Sequence, residues 1–173
     1  MGIDLKSFIK EVPDYPKPGI SFKDLTPMLA SPEAYREATS RLSEAFRGKG
    51  ISAVVAAEAR GFLWAGPVAR DLRAGLVPVR KPGKLPRETL KETYELEYGT
   101  DELHVHKDAI SPGQIVLIVD DLLATGGTAA AMARMVEKLG GKIAALAFVV
   151  ELAFLKGREK LGNRPVHSLV VYS

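Results

Sequence analysis

No cysteine occurs in this chain, which removes disulfides and thiolate-held metals from the available chemistry and is compatible with a reducing cytosol. No apolar run approaches the length of a membrane span. The opening MGIDLKSFIKEV lacks the long apolar stretch of a secretory signal, and a glycine after the first Met is too short a pattern to indicate a lipid anchor. There is no Lys/Arg block of the kind that grips nucleic acid. The net charge of +3 is mild and suits a small acidic ligand. Repeats, low-complexity tracts and linker-like stretches are missing as well. With 173 residues, 46% of them hydrophobic, the expectation is one domain spanning residues 1–173 with a sizeable core. A soluble, cytoplasmic protein is expected, with neither nucleic acid nor membrane as partner.

Two familiar phosphate loops are also lacking. No G-x-x-x-x-G-K-[ST] is present, and no G-x-G-x-x-G follows a strand. What is present is QIVLIVDDLLATGGTAAA, Gln114–Ala131. Ile115–Val119 is a continuous β-branched run, the pattern of a strand buried on both faces of a parallel sheet. Asp120 and Asp121 close it. A short loop ends in Gly126-Gly127, and a helix is expected from about Thr128, with Met132, Met135, Val136 and Leu139 on one face and Gly140-Gly141 stopping it. Strand, small-residue loop and helix N-terminus together favour an anion, because the first helical N–H groups lack partners and the helix dipole is positive there. The hydroxyls of Thr125 and Thr128 add donors. Paired aspartates repel a phosphate but accept hydrogen bonds from a diol or hold Mg²⁺ indirectly. A ribose 5-phosphate meets both demands. The plainer alternative is an ordinary strand–loop–helix connection with solvated acids.

The remainder alternates strand and helix signals. Asp4 is placed to cap a short helix carrying Leu5, Phe8, Ile9 and Val12. Pro13, Pro16, Pro18 and Gly19 forbid regular structure before an extended Ile20–Phe22. Ser31-Pro32 starts a helix striped by Tyr35, Ala38, Leu42, Ala45 and Phe46. Ser52–Ala57 reads as a core strand, followed by a loop at Glu58–Gly61 and a helix to Leu72 with Pro67 in its first turns. Leu76–Val79 reads as the second core strand. Arg80–Arg87 is cationic and turn-rich. Thr93–Tyr98 and Leu103–His106 alternate like half-exposed strands around a Gly99–Asp101 turn. Ile143–Val150 is a buried strand, Ala153–Leu161 a helix, and Val166–Tyr172 a last strand. Such alternation of strand and helix implies an α/β fold, a mostly parallel central sheet flanked by helices. His104, His106 and His167 form no spaced ligand set, so no direct protein metal site is assigned. Trp64 reads as helix packing or a dimer contact.

VLIVDDLLATGGT resembles the phosphoribosyl-pyrophosphate (PRPP) motif of the type I phosphoribosyltransferases. Its LLATGGT form is similar to the branch that uses adenine, and the likeness continues in YPKPGISFKDLTP, EARGFLWAGPVA, VRKPGKLP and YELEYG. The resemblance implies a small N-terminal hood over about residues 1–27 and a flexible lid over about 81–99. It implies Mg²⁺-dependent transfer of 5-phosphoribosyl from PRPP to adenine, yielding AMP and pyrophosphate, by a homodimer. Under it, Asp120 and Asp121 hold the ribose hydroxyls or Mg²⁺, and Ala124, Thr125, Gly126, Gly127 and Thr128 wrap the 5′-phosphate. Arg60, Lys81 and Lys84 meet the pyrophosphate, Phe22 and Lys23 meet adenine, and Glu97 moves a ring proton. Lys23 departs from the Arg common at that place, and the two differ in donor geometry. Judged without the resemblance, the cations are surface charges, Phe22 a core aromatic, and Glu97 and Glu95 solvated acids on a strand. Neither aspartate is expected to be a buried structural ion, and the cations of the lid are expected to repel one another until an anion binds. The rivals are a PRPP-sensing regulator without catalysis, and an enzyme for another purine.

Overall fold

A computed structural model describes residues 2–95 and 99–173. Its centre is a five-stranded, wholly parallel sheet of β3 (Ala53–Ala57), β4 (Gly75–Val79), β7 (Ile115–Leu123), β8 (Lys142–Leu152) and β9 (Val166–Tyr172), in the order β4-β3-β7-β8-β9. Every residue of β3 is buried, as a strand covered on both faces requires. Two small antiparallel ribbons stand apart from it. One joins β1 (Lys10–Pro13) to β2 (Ser21–Asp24), and the other joins β5 (Thr89–Glu95) to β6 (Thr100–His106).

The helices are α1 (Thr26–Ala30), α2 (Pro32–Glu44), α3 (Arg60–Leu72) and α4 (Gly127–Lys138). The Ser31 hydroxyl caps α2 by accepting from the Ala34 N–H at 3.2 Å, with Pro32 at the first position, where a missing N–H costs nothing. Pro67 lies in the middle of α3, not in its first turns. It cannot donate to the Leu63 carbonyl one turn back, and that carbonyl instead accepts from the Tyr35 hydroxyl of α2. Tyr35 also packs edge-on against Trp64, 5.4 Å between ring centroids. Trp64 is fully buried, so its role is helix packing.

Chain order explains where a ligand can enter. From β3 the chain crosses through α3 to β4 on one side, whereas from β7 it crosses through α4 to β8 on the other. Helix α3 contributes Trp64, Ala65 and Val68 to one core, and α4 contributes Ala131, Met132 and Val136 to the core on the opposite sheet face. The order therefore reverses between β3 and β7, and the loops leaving their carboxyl ends diverge. Such a switch point is where open α/β sheets form a crevice.

Several expected boundaries change. Val12 belongs to β1 rather than to the opening helix, which is a single 3₁₀ turn, Leu5–Phe8, capped by Asp4. Ala153–Leu161 is not one helix but two 3₁₀ segments, Ala153–Leu155 and Gly157–Leu161, divided by Lys156 at φ 54°. Thr100 and Asp101 belong to β6, paired with Glu95 and Tyr94. Among the described residues no helix is long and apolar enough to cross a membrane.

Candidate active site

The 124–128 loop links β7 to α4 at the switch point. Gly126 stands at φ 81° and caps α4, its carbonyl accepting from the Ala130 N–H at 2.9 Å. A glycine is needed here on two grounds. The left-handed conformation disfavours other residues, and an added Cβ would overlap the carbonyl oxygen of Gly157. Gly157 was not legible as a site residue. It presses on the loop from behind, where its own Cβ would overlap the Ala124 carbonyl. A cavity of about 180 Å³ is lined by Arg60, Asp120, Asp121 and the whole of Ala124, Thr125, Gly126, Gly127 and Thr128.

The second loop of the crevice, Glu58–Gly61, follows β3. Its Glu58–Ala59 peptide is cis. Glu58 accepts from the Lys81 backbone N–H at 2.6 Å and pairs with Arg80. That backbone hydrogen bond leads the causes holding its pKa below the usual carboxylate range. A cavity of about 160 Å³ lies between this loop and the β7 terminus, lined by Glu58, Arg60, Lys81, Asp120, Asp121 and Thr128 among others. A Cβ on Gly61 would come within 2.9 Å of an Asp120 oxygen, so glycine there lets α3 start against the acid.

The two aspartates differ. Asp121 is buried, and Arg60 Nε stands 2.8 Å from its carboxylate. This corrects the expectation that neither acid is a buried ion. The cause is the alternation of β7, which turns Asp121 inward and leaves Asp120 partly covered. Asp120 accepts from the Asp121 N–H at 2.9 Å. Burial of its carboxyl, then the neighbouring Asp121 charge, raises its pKa well above the ordinary value. Two crowded carboxylates balanced by one Arg favour arrival of further positive charge.

Lys81 and Arg87, in the expected lid, are also not free. Lys81 pairs with Asp101, and the Tyr94 hydroxyl donates to the same carboxylate at 2.9 Å while lying 3.4 Å from the Thr128 hydroxyl. Burial works against the Asp101 charge, yet Lys81 and Tyr94 outweigh it and its pKa falls. Arg87 pairs with Asp108. These acids lie in or beside β6, too far along the chain for local charge patterning to suggest them. Lys84 sits in a turn, its N–H bonded to the Lys81 carbonyl, and lines neither crevice cavity.

A third cavity, of about 500 Å³, opens between the β1–β2 ribbon and the 152–160 segment. Ile20, Ser21, Lys23, Thr125, Phe154 and Leu155 are among its lining. Lys23 borders it, but its ammonium is held 2.6 Å from Glu11 and 4.4 Å from the Tyr172 ring centroid. Phe22 packs edge-on against Tyr15 at 5.2 Å and lies 5.9 Å below the Arg60 guanidinium. Glu95, expected to be merely solvated, borders this cavity too. Glu97 lies outside the described residues. Thr125 lines both this cavity and the loop cavity.

A sequence model of the phosphoribosyl transferase domain matches residues 23–164. The adenine phosphoribosyltransferase of Thermotoga sp. (strain RQ2) is 54% identical over 170 residues, covering 98% of this chain and 100% of that one. The chain belongs to the adenine phosphoribosyltransferase family. Among solved members of the family, the protein from Thermoanaerobacter pseudethanolicus superposes with a TM-score of 0.94 at 52% identity, covering 98% of each chain. The Saccharomyces cerevisiae member, solved with an imino-altritol bisphosphate and adenine, gives a TM-score of 0.90 at 45% identity over 96% of each chain.

Proposed function

We propose that the chain transfers 5-phosphoribosyl from PRPP to N9 of adenine, forming AMP and releasing pyrophosphate. The observation that carries this is the shared wall at Thr125, which joins an anion-binding loop to a largely apolar cavity large enough for a purine. A sugar phosphate seated on Ala124–Thr128 points its ring at Asp120 and Asp121 and its anomeric carbon toward the base cavity. In the bond exchange, the C1′–O pair leaves with pyrophosphate, N9 supplies the new pair, and adenine loses one ring proton. Charge at C1′ develops as in an oxocarbenium ion.

Arg60 and Lys81 offset the charge on departing pyrophosphate. Each now faces an acid, Asp121 and Asp101, so ligand anions exchange with those pairings. Lys84 joins them only if its turn closes over the crevice. The purine edge is read by the backbone of Ile20–Lys23, because the Lys23 ammonium is engaged elsewhere. Phe22 lies beside that edge, and Glu97 is assigned the proton transfer. The residues fit Mg²⁺: Asp120 and Asp121 crowd two carboxylates together with Arg60 as their close cation, and Mg²⁺ is held by one or two carboxylates plus substrate oxygens. When bound, it supplies positive charge to the pyrophosphate beside Asp120 and Asp121. A homodimer in the cytoplasm is proposed with this function, the exposed Leu63 of α3 and Leu76 of the edge strand β4 offering apolar contact area.

The test is incubation with PRPP, Mg²⁺ and each purine in turn. AMP should form from adenine at least about tenfold faster than nucleotide from hypoxanthine, since an amino and an oxo group demand opposite partners from one fixed edge. Equal use of the two bases would refute the adenine assignment.

A further inference from the structure

Glu151 stands at the carboxyl end of β8, directly opposite Leu123, the residue that opens the phosphate loop. It is 3% exposed and does not border the three cavities of the site. Its carboxylate takes two hydrogen bonds from Arg158, at 2.6 and 2.7 Å, and a third at 2.6 Å from the Ser168 hydroxyl of β9. Arg158 follows Gly157, the residue whose backbone meets Gly126 and Ala124 without room for a β-carbon on either side. Phe154 and Leu155, between this anchor and the end of β8, wall the base cavity. The fully buried Leu161 fixes the far end of the segment.

We propose that Glu151, Arg158 and Ser168 form a positioning clamp that holds Gly157 against the phosphate loop and so sets the loop conformation that receives phosphate. A fork of two parallel N–H···O bonds fixes direction as well as distance. The side chains of the loop are small, so the Gly157 backbone pressed against it helps to set where its N–H groups point. None of the three clamp residues touches substrate. The proposal rests on the proposed function for its kinetic consequence, but its structural consequence can be measured separately.

The experiment compares Arg158→Ala, Arg158→Lys and Ser168→Ala with Arg164→Ala. Arg164 makes a similar forked pair, with Glu137 at 2.9 and 2.8 Å, at the far end of the same segment and away from the loop. Arg158→Ala should raise KM for PRPP and weaken AMP binding by roughly tenfold to a hundredfold, with a smaller change in kcat. Arg158→Lys should recover part of this, limited by the lost fork, and Ser168→Ala should fall between Lys and wild type. Arg164→Ala should lower Tm without moving KM. Amide exchange at residues 124–128 should quicken in Arg158→Ala but not in Arg164→Ala. If Arg158→Ala folds and neither loop exchange nor AMP affinity changes, the clamp is overturned. Should Arg158→Ala not fold, Arg158→Lys and Ser168→Ala take its place, and unchanged loop exchange and AMP affinity in both would overturn the clamp equally. A wild type that exchanges as expected yet makes no AMP would overturn the proposed function and leave the clamp standing.

Discussion

At the scale of single residues, Asp120 carries a cost that its proposed role explains. Its folded pKa is raised by burial and by Asp121, so the folded state holds the proton more tightly than the unfolded chain. Above the folded pKa the ionised carboxyl therefore lowers stability. Asn keeps an oxygen to accept from the Asp121 N–H and removes the charge. Asp120→Asn should show an equal or higher Tm at neutral pH together with weakened use of PRPP. A lower Tm with wild-type PRPP kinetics would contradict both halves. At Gly126 the fold supplies a cause for glycine that phosphate approach leaves out. Phosphate approach alone is reason enough for the glycine, but Gly126→Val also meets the Gly157 backbone and a φ of 81°. It should cost about 1–3 kcal/mol of stability even without ligand, measured by denaturant unfolding. Glu97→Gln should lower kcat by about 10²–10⁴-fold with PRPP affinity kept, the scale of a positioned base. Glu95→Gln does not serve as a silent control, because Glu95 borders the proposed base cavity. Asp120, Asp121 and the residues from Ala124 to Thr128 were legible because they are contiguous, and one strand–loop–helix unit delivers them together. Lys23 and Gly157 were not. Their roles are fixed by Glu11, Tyr172 and Ala124, which no local pattern connects to them.

At the scale of elements, the β5–β6 ribbon holds charge pairings that local sequence does not show. The resemblance implies a flexible lid over about 81–99, with its cations expected to repel one another, and the described stem of that segment carries ion pairs. Glu92, 8% exposed, sits 2.5 Å from both Arg134 and Lys138 of α4. Burial opposes that charge, and the two cations more than compensate, so its pKa is lowered. Removing the acid leaves two cations facing each other and a partly buried gap. Glu92→Ala should cost about 1–3 kcal/mol, and amides of β5 and β6 that exchange slowly in wild type should exchange rapidly in the variant. Fast exchange of the stem in wild type itself would show the pin to be ineffective. Strands with uninterrupted apolar runs, β3, β7 and β8, were legible in their cores, since burial on both faces leaves little ambiguity. The edge strand β9, in which Val170 alone is buried, was legible from its apolar content instead. The 153–161 segment is harder to read because its periodicity suits a helix while Gly157 must lie flat against the loop. That tertiary demand breaks it into two short turns.

At the scale of the whole molecule, acid titration separates groups that pull in opposite directions. Glu58, Glu92, Asp101 and Glu151 all have lowered pKa values. Their stabilisation is present above the unfolded carboxylate values near 4.5 for Glu and 3.8 for Asp and is lost as pH falls through the folded ones. His167 acts earlier. Burial, then the Lys49 and Arg158 charges, depress its pKa below 6.5, and its Nε2 is buried beside the Phe46 ring without a partner among the described residues. As pH drops below 6.5 the unfolded chain takes up the proton first, so stability falls. Asp120 has the opposite sign in the range above its unfolded 3.8, because there the folded state takes up the proton first and acidification stabilises it. Between about pH 6.5 and 4.5 the two effects oppose each other, and the wild-type slope should lie between those of variants that lack one group or the other. His167→Gln removes the destabilising partner, so its stability should rise on acidification through this window. Asp120→Asn removes the stabilising one, so its stability should fall more steeply than that of wild type. Urea midpoints measured at half-unit steps of pH decide the matter. Parallel curves for the two variants would mean that neither group titrates differently on folding, and the crowding of Asp120 against Asp121 would then have to be relieved by the Arg60 contact alone.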